Sequence, residues 1–233
     1  MRKILVIGPV SPQEEDLLSL KNTLSFLAEE YIVDCVDSLS IHQDVSNERY
    51  YQLWKQKLMC CIPDYDAFFG FAFGGVILQQ CFSLFATMRK PIILFSTPTF
   101  ADCSLTQKLG RVIRLCKENK LEHALNALYQ PVFYPNLMPP LAIESMNQSV
   151  ALERLIFGLT RVLHTDATDL LKENKVPHLH LIGECSALVN TENVIAANNG
   201  HLIVVPKASM RVLQDNLSYC KKIIEEVLNS GSC

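Results

Sequence analysis

A glycine-rich turn is the segment whose residue types and spacing point most directly to chemistry. Residues 70–75 read Gly-Phe-Ala-Phe-Gly-Gly, between an apolar run and a stretch that favours a helix. In a nucleophile elbow, a Gly-x-Ser-x-Gly turn joins a strand to a helix and exposes a serine that attacks a carbonyl. Glycines flank this serine because larger residues would clash. Here the central residue is Ala72, whose methyl group can neither attack a carbonyl nor be activated by a base.

The cysteines form no pattern typical of a metal or redox site. Their number is odd, their spacings are irregular, and no Cys-x-x-Cys pair occurs. We therefore expect no metal and no cofactor, and the free thiols indicate a reducing, cytoplasmic compartment. The nine cysteines are Cys35, Cys60, Cys61, Cys81, Cys103, Cys116, Cys185, Cys220 and Cys233.

Short apolar runs alternate with amphipathic stretches along most of the chain, which is the pattern of parallel βα units. The predicted strands are Lys3–Ile7, Tyr31–Val36, Ala67–Phe69, Pro91–Ser96, Leu179–Ile182 and His201–Val205. The first helix is predicted to start near residues 14–16 and to carry Leu17, Leu18, Leu20, Leu24 and Leu27 on its apolar face. Further helices are predicted over residues 47–59, 76–87 and 212–228.

Residues 103–172 differ in character, because they favour helices and contain no strand pattern. A proline-rich loop, with Pro131, Pro135, Pro139 and Pro140, interrupts them. We therefore predict a helical lid at residues 103–172, inserted between two parts of one core, residues 1–102 and 173–233. The apolar residues of this lid either close the core or line a ligand site at the carboxyl edge of the sheet.

Composition limits the classes of protein and partner. The chain has 233 residues, 49% of them hydrophobic and 19% charged, with a net charge of −3 and no Lys/Arg run. One domain with a large core is expected, and a nucleic-acid surface is not. Residues 67–86 carry no charge, but their three glycines and two glutamines favour a buried strand, turn and helix over a membrane span.

The chain resembles the α/β-hydrolase family over nearly its whole length. Residues 70–75 are similar to the family's Gly-x-Ser-x-Gly-Gly, and residues 4–8 to the strand that usually ends in His-Gly. Residues 176–184 resemble the segment leading to the acidic triad residue, and residues 204–210 the segment that delivers the histidine. The resemblance implies about six parallel strands, helices on both faces and a lid. Small carboxylesterases and thioesterases, including pimeloyl-carrier methyl ester esterases, are similar in size.

The resemblance also implies that all three triad positions are replaced. Chain order in the family is Ser, Asp/Glu, His, and the matching positions are Ala72, Ser186 and Met210. Glu184 lies two residues before the acid position, and Asp102 is a possible substitute acid where the acid follows the preceding strand. One Ser-to-Ala change could be an engineered substitution, whereas replacement at several distant positions favours natural loss.

None of the histidines matches the base position convincingly, so each is interpreted as a core or surface residue. They are His42, His123, His164, His178, His180 and His201. The oxyanion hole requires two backbone N–H groups. Phe73 supplies the first; the second falls on Pro9, which has no N–H, or on Val10 if the match shifts by one residue.

Three functions remain open on this basis. The first is a non-catalytic hydrolase-like protein that keeps an apolar pocket and acts as a binding or partner subunit, for example in a biosynthetic complex, with an acyl molecule or a protein as partner. The second is a carboxylesterase or thioesterase with another nucleophile, for which Cys103 and Cys185 are the thiol candidates. The third is a non-hydrolytic lyase, cyclase or isomerase that uses Asp102 or Glu184 as acid or base.

Overall fold

Six strands form one parallel sheet in the order β2-β1-β3-β4-β5-β6. The computed structural model describes residues 1–195, 197 and 199–230. The strands are β1 (Arg2–Ile7), β2 (Tyr31–Val36), β3 (Ala67–Phe71), β4 (Ile92–Phe95), β5 (His178–Gly183) and β6 (Gly200–Val205). The predicted α/β architecture with six parallel strands is confirmed.

Helices connect the strands and cover the sheet. They are α1 (Asp16–Thr23), α2 (Asn47–Cys61), α3 (Phe73–Gln80), α4 (Cys103–Lys117), α5 (Leu121–Phe133), α6 (Gln148–Leu163), α7 (Thr168–Glu173), α8 (Val212–Asp215) and α9 (Leu217–Ser230). Successive side chains of β1 enter different cores: Leu5 and Ile7 join a larger apolar cluster, and Ile4 and Val6 a smaller one on the opposite face. Burial on both faces explains why these strands are continuous apolar runs in the sequence.

The first helix is shorter than predicted. It ends at Thr23, and a short 3-10 helix follows at Ser25–Leu27. Leu18, which was expected on the apolar face, is 65% exposed. Leu18 lies beside Leu17 in sequence, and adjacent residues of a helix point about 100° apart, so both cannot face the sheet.

Other element boundaries also differ from the prediction, most clearly in α3, in the final helix and in α5. The glycines at 74 and 75 belong to the first turn of α3, which begins at Phe73 and ends at Gln80. The final helix is interrupted between α8 and α9, where Asn216 has φ −143°. Pro131 lies inside α5, so the proline-rich loop starts three residues later than expected.

Residues 103–172, termed here the helical segment, contain no strand and link β4 to β5. Buried leucines of α4, α5 and α6 belong to the same apolar cluster as Tyr50, Trp54 and Phe73. The segment therefore shares its core with one face of the sheet, and its role as a lid stays a prediction. In the part of the chain that the structure describes, no helix has the length and apolar character needed to cross a membrane.

Candidate functional site

Ala72 joins β3 to α3 in a backbone conformation that alanine rarely adopts. Its φ and ψ are 48° and −109°, and its N–H donates a hydrogen bond to the carbonyl of Phe95 at 2.9 Å. Positive φ in a non-glycine residue costs of order 1–3 kcal/mol and persists only where the surroundings enforce it. This sharp strand-to-helix turn is the geometry of a nucleophile elbow.

The glycines after Ala72 allow close approach of neighbouring chain. A Cβ on Gly74 would lie 2.1 Å from the carbonyl oxygen of Ile7, at the end of β1. A Cβ on Gly75 would lie 1.8 Å from Oγ1 of Thr97, after β4. The spacing noted in the sequence therefore has a steric cause: α3 starts in direct contact with the two neighbouring strands.

The three candidate residues of the oxyanion hole are Phe73, in this turn, and Pro9 and Val10, in the loop after β1. Phe73 is the first residue of α3, and an N–H at this position has no partner within its own helix. Pro9 follows β1 and has no N–H, and its carbonyl accepts a hydrogen bond from Ser38 Oγ at 3.1 Å. Val10 is half-buried. Gly8, at the start of this loop, lies against the elbow, since a Cβ on Gly74 would be 2.7 Å from its carbonyl oxygen. The direct match, with Pro9 in the second position, supplies only one donor.

The backbone of Met210 lies at the same end of the sheet as Ala72. Its carbonyl accepts a hydrogen bond from Ser96 Oγ at 2.7 Å, and Ser96 directly follows Phe95, which bonds the Ala72 N–H. The base position is thus connected to the elbow through two successive residues of the β4 end. A thioether is a weak acceptor and cannot take a proton from a hydroxyl at neutral pH.

The three candidate acid positions are all engaged with backbone N–H groups. Ser186 is buried, and its Oγ accepts from the N–H of Val189 at 3.3 Å. Glu184 accepts from the N–H of Lys207 at 2.8 Å. Asp102 is the N-cap of α4 and accepts from the N–H of Leu105 at 2.7 Å. Each side chain therefore holds a loop or helix end in place.

The histidines lie away from the elbow or are held neutral. His180 is buried within β5, and its Nε2 accepts from the N–H of Thr97 at 3.2 Å. Burial lowers the pKa of His180 to about 3, far below the range of an effective general base. His178 is the first residue of β5 and is also buried, with Nδ1 2.9 Å from the carbonyl oxygen of Val176. The exposed histidines are His42, His123, His164 and His201.

The two candidate thiols occupy different environments. Cys103 is the exposed first residue of α4, and Cys185 is half-buried with its N–H bonded to the carbonyl of Ala208 at 2.8 Å. Among the described residues, no group of three His, Cys, Asp or Glu side chains converges as metal ligands would.

One face of α6 fixes the loops that follow β1 and β2; we call this contact the α6 seam, formed by Arg154, Gly158 and Arg161. Arg154 donates to the carbonyl of Ser11 and to Asp37, both at 3.0 Å. A Cβ on Gly158 would lie 2.6 Å from Val10.

Arg161 forms the other end of the α6 seam. It donates to Asn47 Oδ1 at 2.9 Å and to the carbonyls of Gln43 and Val45 at 3.1 Å. Its guanidinium lies 4.2 Å from the ring centre of Tyr50. Sequence reasoning missed both arginines; the available signal was two arginines seven residues apart on an apolar helix.

No family profile matches this chain, and neither does any curated protein. Solved structures do match. "MenH from S. aureus" superposes with a TM-score of 0.68 at 16% identity, over 99% of this chain and 94% of that one. The esterase EaEST from Exiguobacterium antarcticum gives 0.72 at 14% identity, over 98% and 92%. MGS-M2, "an alpha/beta hydrolase enzyme" from a Medee basin deep-sea metagenome library, gives 0.69 at 12% identity, over 99% and 88%. At these identities the likeness shows the fold and not the activity.

Proposed function

This chain has the α/β-hydrolase fold, and we propose that it uses the fold to bind a ligand or partner and not to hydrolyse an ester. The observation that carries this proposal is the methyl group of Ala72 at the apex of a fully formed elbow. A nucleophile elbow serves to expose an activated oxygen, and here the position that would hold it has none.

The surroundings of the elbow support the same conclusion. Met210 replaces a base with a thioether, and the carboxylates of Glu184 and Asp102 each bond a backbone N–H. His180 is neutral at physiological pH because burial lowers its pKa to about 3. Hydrolysis by a triad needs a nucleophile, a base and an acid linked by hydrogen bonds. Ala72, Met210 and Ser186 cannot form such a chain.

An apolar small molecule, such as an acyl chain, is the proposed ligand. Ala72 and Met210 are half-buried and uncharged, and their side chains favour contact with hydrocarbon over contact with a polar group. A protein that pairs with a biosynthetic enzyme and presents such a ligand would need no chemistry of its own.

Ester hydrolysis by the purified chain tests the proposal directly. We expect no release of p-nitrophenol from acetate, butyrate or decanoate esters beyond that of a buffer blank. The matched restoration is the triple variant Ala72→Ser, Ser186→Asp and Met210→His. Turnover by this variant, and not by the unmodified chain, supports a scaffold that still positions a triad but no longer carries its side chains. Turnover by the unmodified chain contradicts the proposal, and a folded but inactive triple variant contradicts the matching of the acid and base positions.

A carboxylesterase or thioesterase is the second candidate. The observation that favours it is that the similar solved structures include proteins named as esterases and hydrolases, and this supports it at least as well as the first. It requires another nucleophile, for which Cys103 and Cys185 are the thiols. Iodoacetamide labelling at neutral pH, read by mass spectrometry, distinguishes the two: activity lost together with labelling of either thiol supports the esterase, whereas inert thiols eliminate a cysteine mechanism.

A further inference from the structure

Strand β6 is the last strand at one end of the sheet, and it pairs with β5 on one side only. The N–H of Glu184 donates to the carbonyl of Val205, so the backbone groups of Val205 face β5. Successive residues of a strand direct their N–H and C=O groups to alternate sides. Leu202 and Val204 therefore direct theirs away from the sheet. Among the residues that the structure describes, none donates to or accepts from these backbone groups.

The side chains of β6 leave this edge unguarded. Natural sheet edges carry charged residues, proline or bulges, because an unguarded edge pairs readily with another strand. β6 reads Gly-His-Leu-Ile-Val-Val, with no acidic residue, lysine or arginine, and Val204 is 42% exposed. The strand at the other end of the sheet, β2, contains Asp34 and directly follows Glu29 and Glu30. Self-pairing of β2 would bring carboxylates together, whereas self-pairing of β6 would not.

A second copy of β6 can use all of the outward backbone groups. A two-fold axis makes the two strands antiparallel, and in such a pair every second couple of opposed residues exchanges both N–H···O bonds. With the axis at Ile203, Leu202 of each chain lies opposite Val204 of the other, and both couples are hydrogen-bonded. Ile203 then opposes its own copy at a position without hydrogen bonds. The alternation of the strand therefore selects this register.

Helix α9 extends the edge of β6 on one face of the sheet. Lys221 Nζ lies 5.8 Å from the ring centre of Phe26, so this flank of α9 faces the β2 side. Helix residues two positions apart project about 200° apart, and Ile223 therefore lies on the opposite flank, towards β6. Ile223 and Val227 are half-buried against the same apolar cluster as Ile203. The exposed parts of these side chains continue the apolar edge.

We propose that two copies of this chain associate through their β6 edges, about a two-fold axis at Ile203, so that the two six-stranded sheets become continuous. β6 is about 20 Å long and α9 about 21 Å, which places the contact at the small end of specific interfaces, roughly 1,200 Å² in total. A contact of this size predicts a dimer that dissociates on dilution. The association goes beyond the proposed binding function and does not depend on it.

Light scattering after size-exclusion chromatography, over a series of concentrations of the full chain, tests the association. We expect the mass of two chains at the highest concentrations and of one chain on dilution. Val204→Lys places an ammonium group at the centre of the contact and should raise the dissociation constant about tenfold or more. The control is Ile32→Lys, the same kind of change at a side chain 40% exposed on β2, which should leave the dimer unchanged.

Cysteine cross-linking tests the register, and it covers the case in which Val204→Lys does not fold, judged by circular dichroism. The Cα atoms of Ile203 and its copy should lie about 4.5 Å apart, within the range of a disulfide. Ile203→Cys should therefore give a covalent dimer on oxidation with diamide. His201→Cys is the matched control on the same face of the strand, where the two copies lie about 13 Å apart, too far for a disulfide. The unmodified chain, oxidised in parallel, measures the background from its own cysteines.

The outcomes separate the association, its register and the proposed function. The mass of a single chain at every concentration would overturn the association, and so would equal dissociation constants for the two lysine variants. Equal cross-linking of the two cysteine variants would overturn the register. Hydrolysis of p-nitrophenyl esters by a dimer that Val204→Lys disrupts would contradict the non-catalytic function and still support the contact through β6.

Discussion

Ala72 keeps a strained backbone although no reactive side chain benefits from it. Ser96 and Lys207, which follow β4 and β6, also have positive φ, at 44° and 58°. The neighbouring glycines explain why the turn persists, because α3 can only approach β1 and β4 in this arrangement. The elbow was predictable from sequence, because three glycines within six residues, between an apolar run and a helix pattern, are typical of such a turn. The contacts of Arg154 and Arg161 were not predictable, because their partners are more than 100 residues away in sequence.

Substitution of Gly75 tests how closely α3 packs against the end of β4. Gly75→Ala should lower the free energy of unfolding by about 1–3 kcal/mol, the range for overpacking a core, because its Cβ would lie 1.8 Å from Thr97 Oγ1. Gly110→Ala in α4 is the matched control, with no atom within 4 Å of the added Cβ. It should raise stability by about 1 kcal/mol. Urea denaturation of both variants measures this, and equal effects would contradict the packing described.

His180 predicts a pH dependence of stability. Its pKa falls from 6.5 to about 3 on folding, so the folded state favours the neutral ring. The contribution is complete above pH 6.5 and is lost progressively as the pH falls toward 3, at about 1.4 kcal/mol per pH unit for one proton.

The variant His180→Gln isolates this contribution. Glutamine retains an acceptor for the Thr97 N–H and does not titrate, so denaturant unfolding between pH 7 and pH 4.5 should show a shallower decline than in the unmodified chain. Parallel declines would show that His180 does not protonate on unfolding in this range.

The strands and the helices were predictable to different degrees at the scale of elements. Buried parallel strands are apolar on both faces, so β1, β3, β4 and β5 stand out as runs. The start of α3 was placed three residues late, because glycines at 74 and 75 favour a turn by local propensity while the elbow requires them in a helix. The break at Asn216 has no sequence signal of its own, since the apolar pattern continues from α8 into α9.

The α6 seam should contribute strongly to stability through Arg154. Arg154→Met leaves Asp37, whose side chain is 5% exposed, as a buried charge without its cation, and removal of one partner of a buried pair costs about 3–5 kcal/mol. Lys172→Met breaks the exposed pair with Asp169 and should cost less than about 1 kcal/mol.

Hydrogen exchange locates the effect of Arg154→Met. The amides of Val10 and Ser11, the two residues with an N–H in the loop at residues 9–12, should exchange faster, because the carbonyl of Ser11 loses its guanidinium partner. Unchanged exchange in this loop, at an unfolding free energy close to that of Lys172→Met, would mean that α6 does not hold the loop.

The larger apolar cluster joins the helical segment to the sheet, so we expect the whole molecule to unfold as one unit. Trp54 is the single tryptophan, is 1% exposed, and lies in the cluster that includes buried leucines of the helical segment. A lid was predicted at residues 103–172 because the sequence of this segment has no strand pattern. It could not show that the segment and α2 share one core, because that depends on how α6 lies over residues 37–51.

Coincident unfolding transitions test this unity. We expect the fluorescence of Trp54 and the far-ultraviolet circular dichroism to follow the same denaturation curve, since loss of the helical segment would expose the tryptophan core. An early loss of helix signal with unchanged fluorescence would show that residues 103–172 unfold separately.

The shared core also means that a molecule bound beside Ala72 in the folded state would stabilise the whole chain. A compound that binds only the folded form at a hundred times its dissociation constant adds about 2.7 kcal/mol to global stability. Melting temperature therefore reports on any occupant, whatever its chemistry and without turnover. A thermal-shift survey of acyl compounds of increasing chain length would show which hydrocarbon length, if any, the folded chain binds.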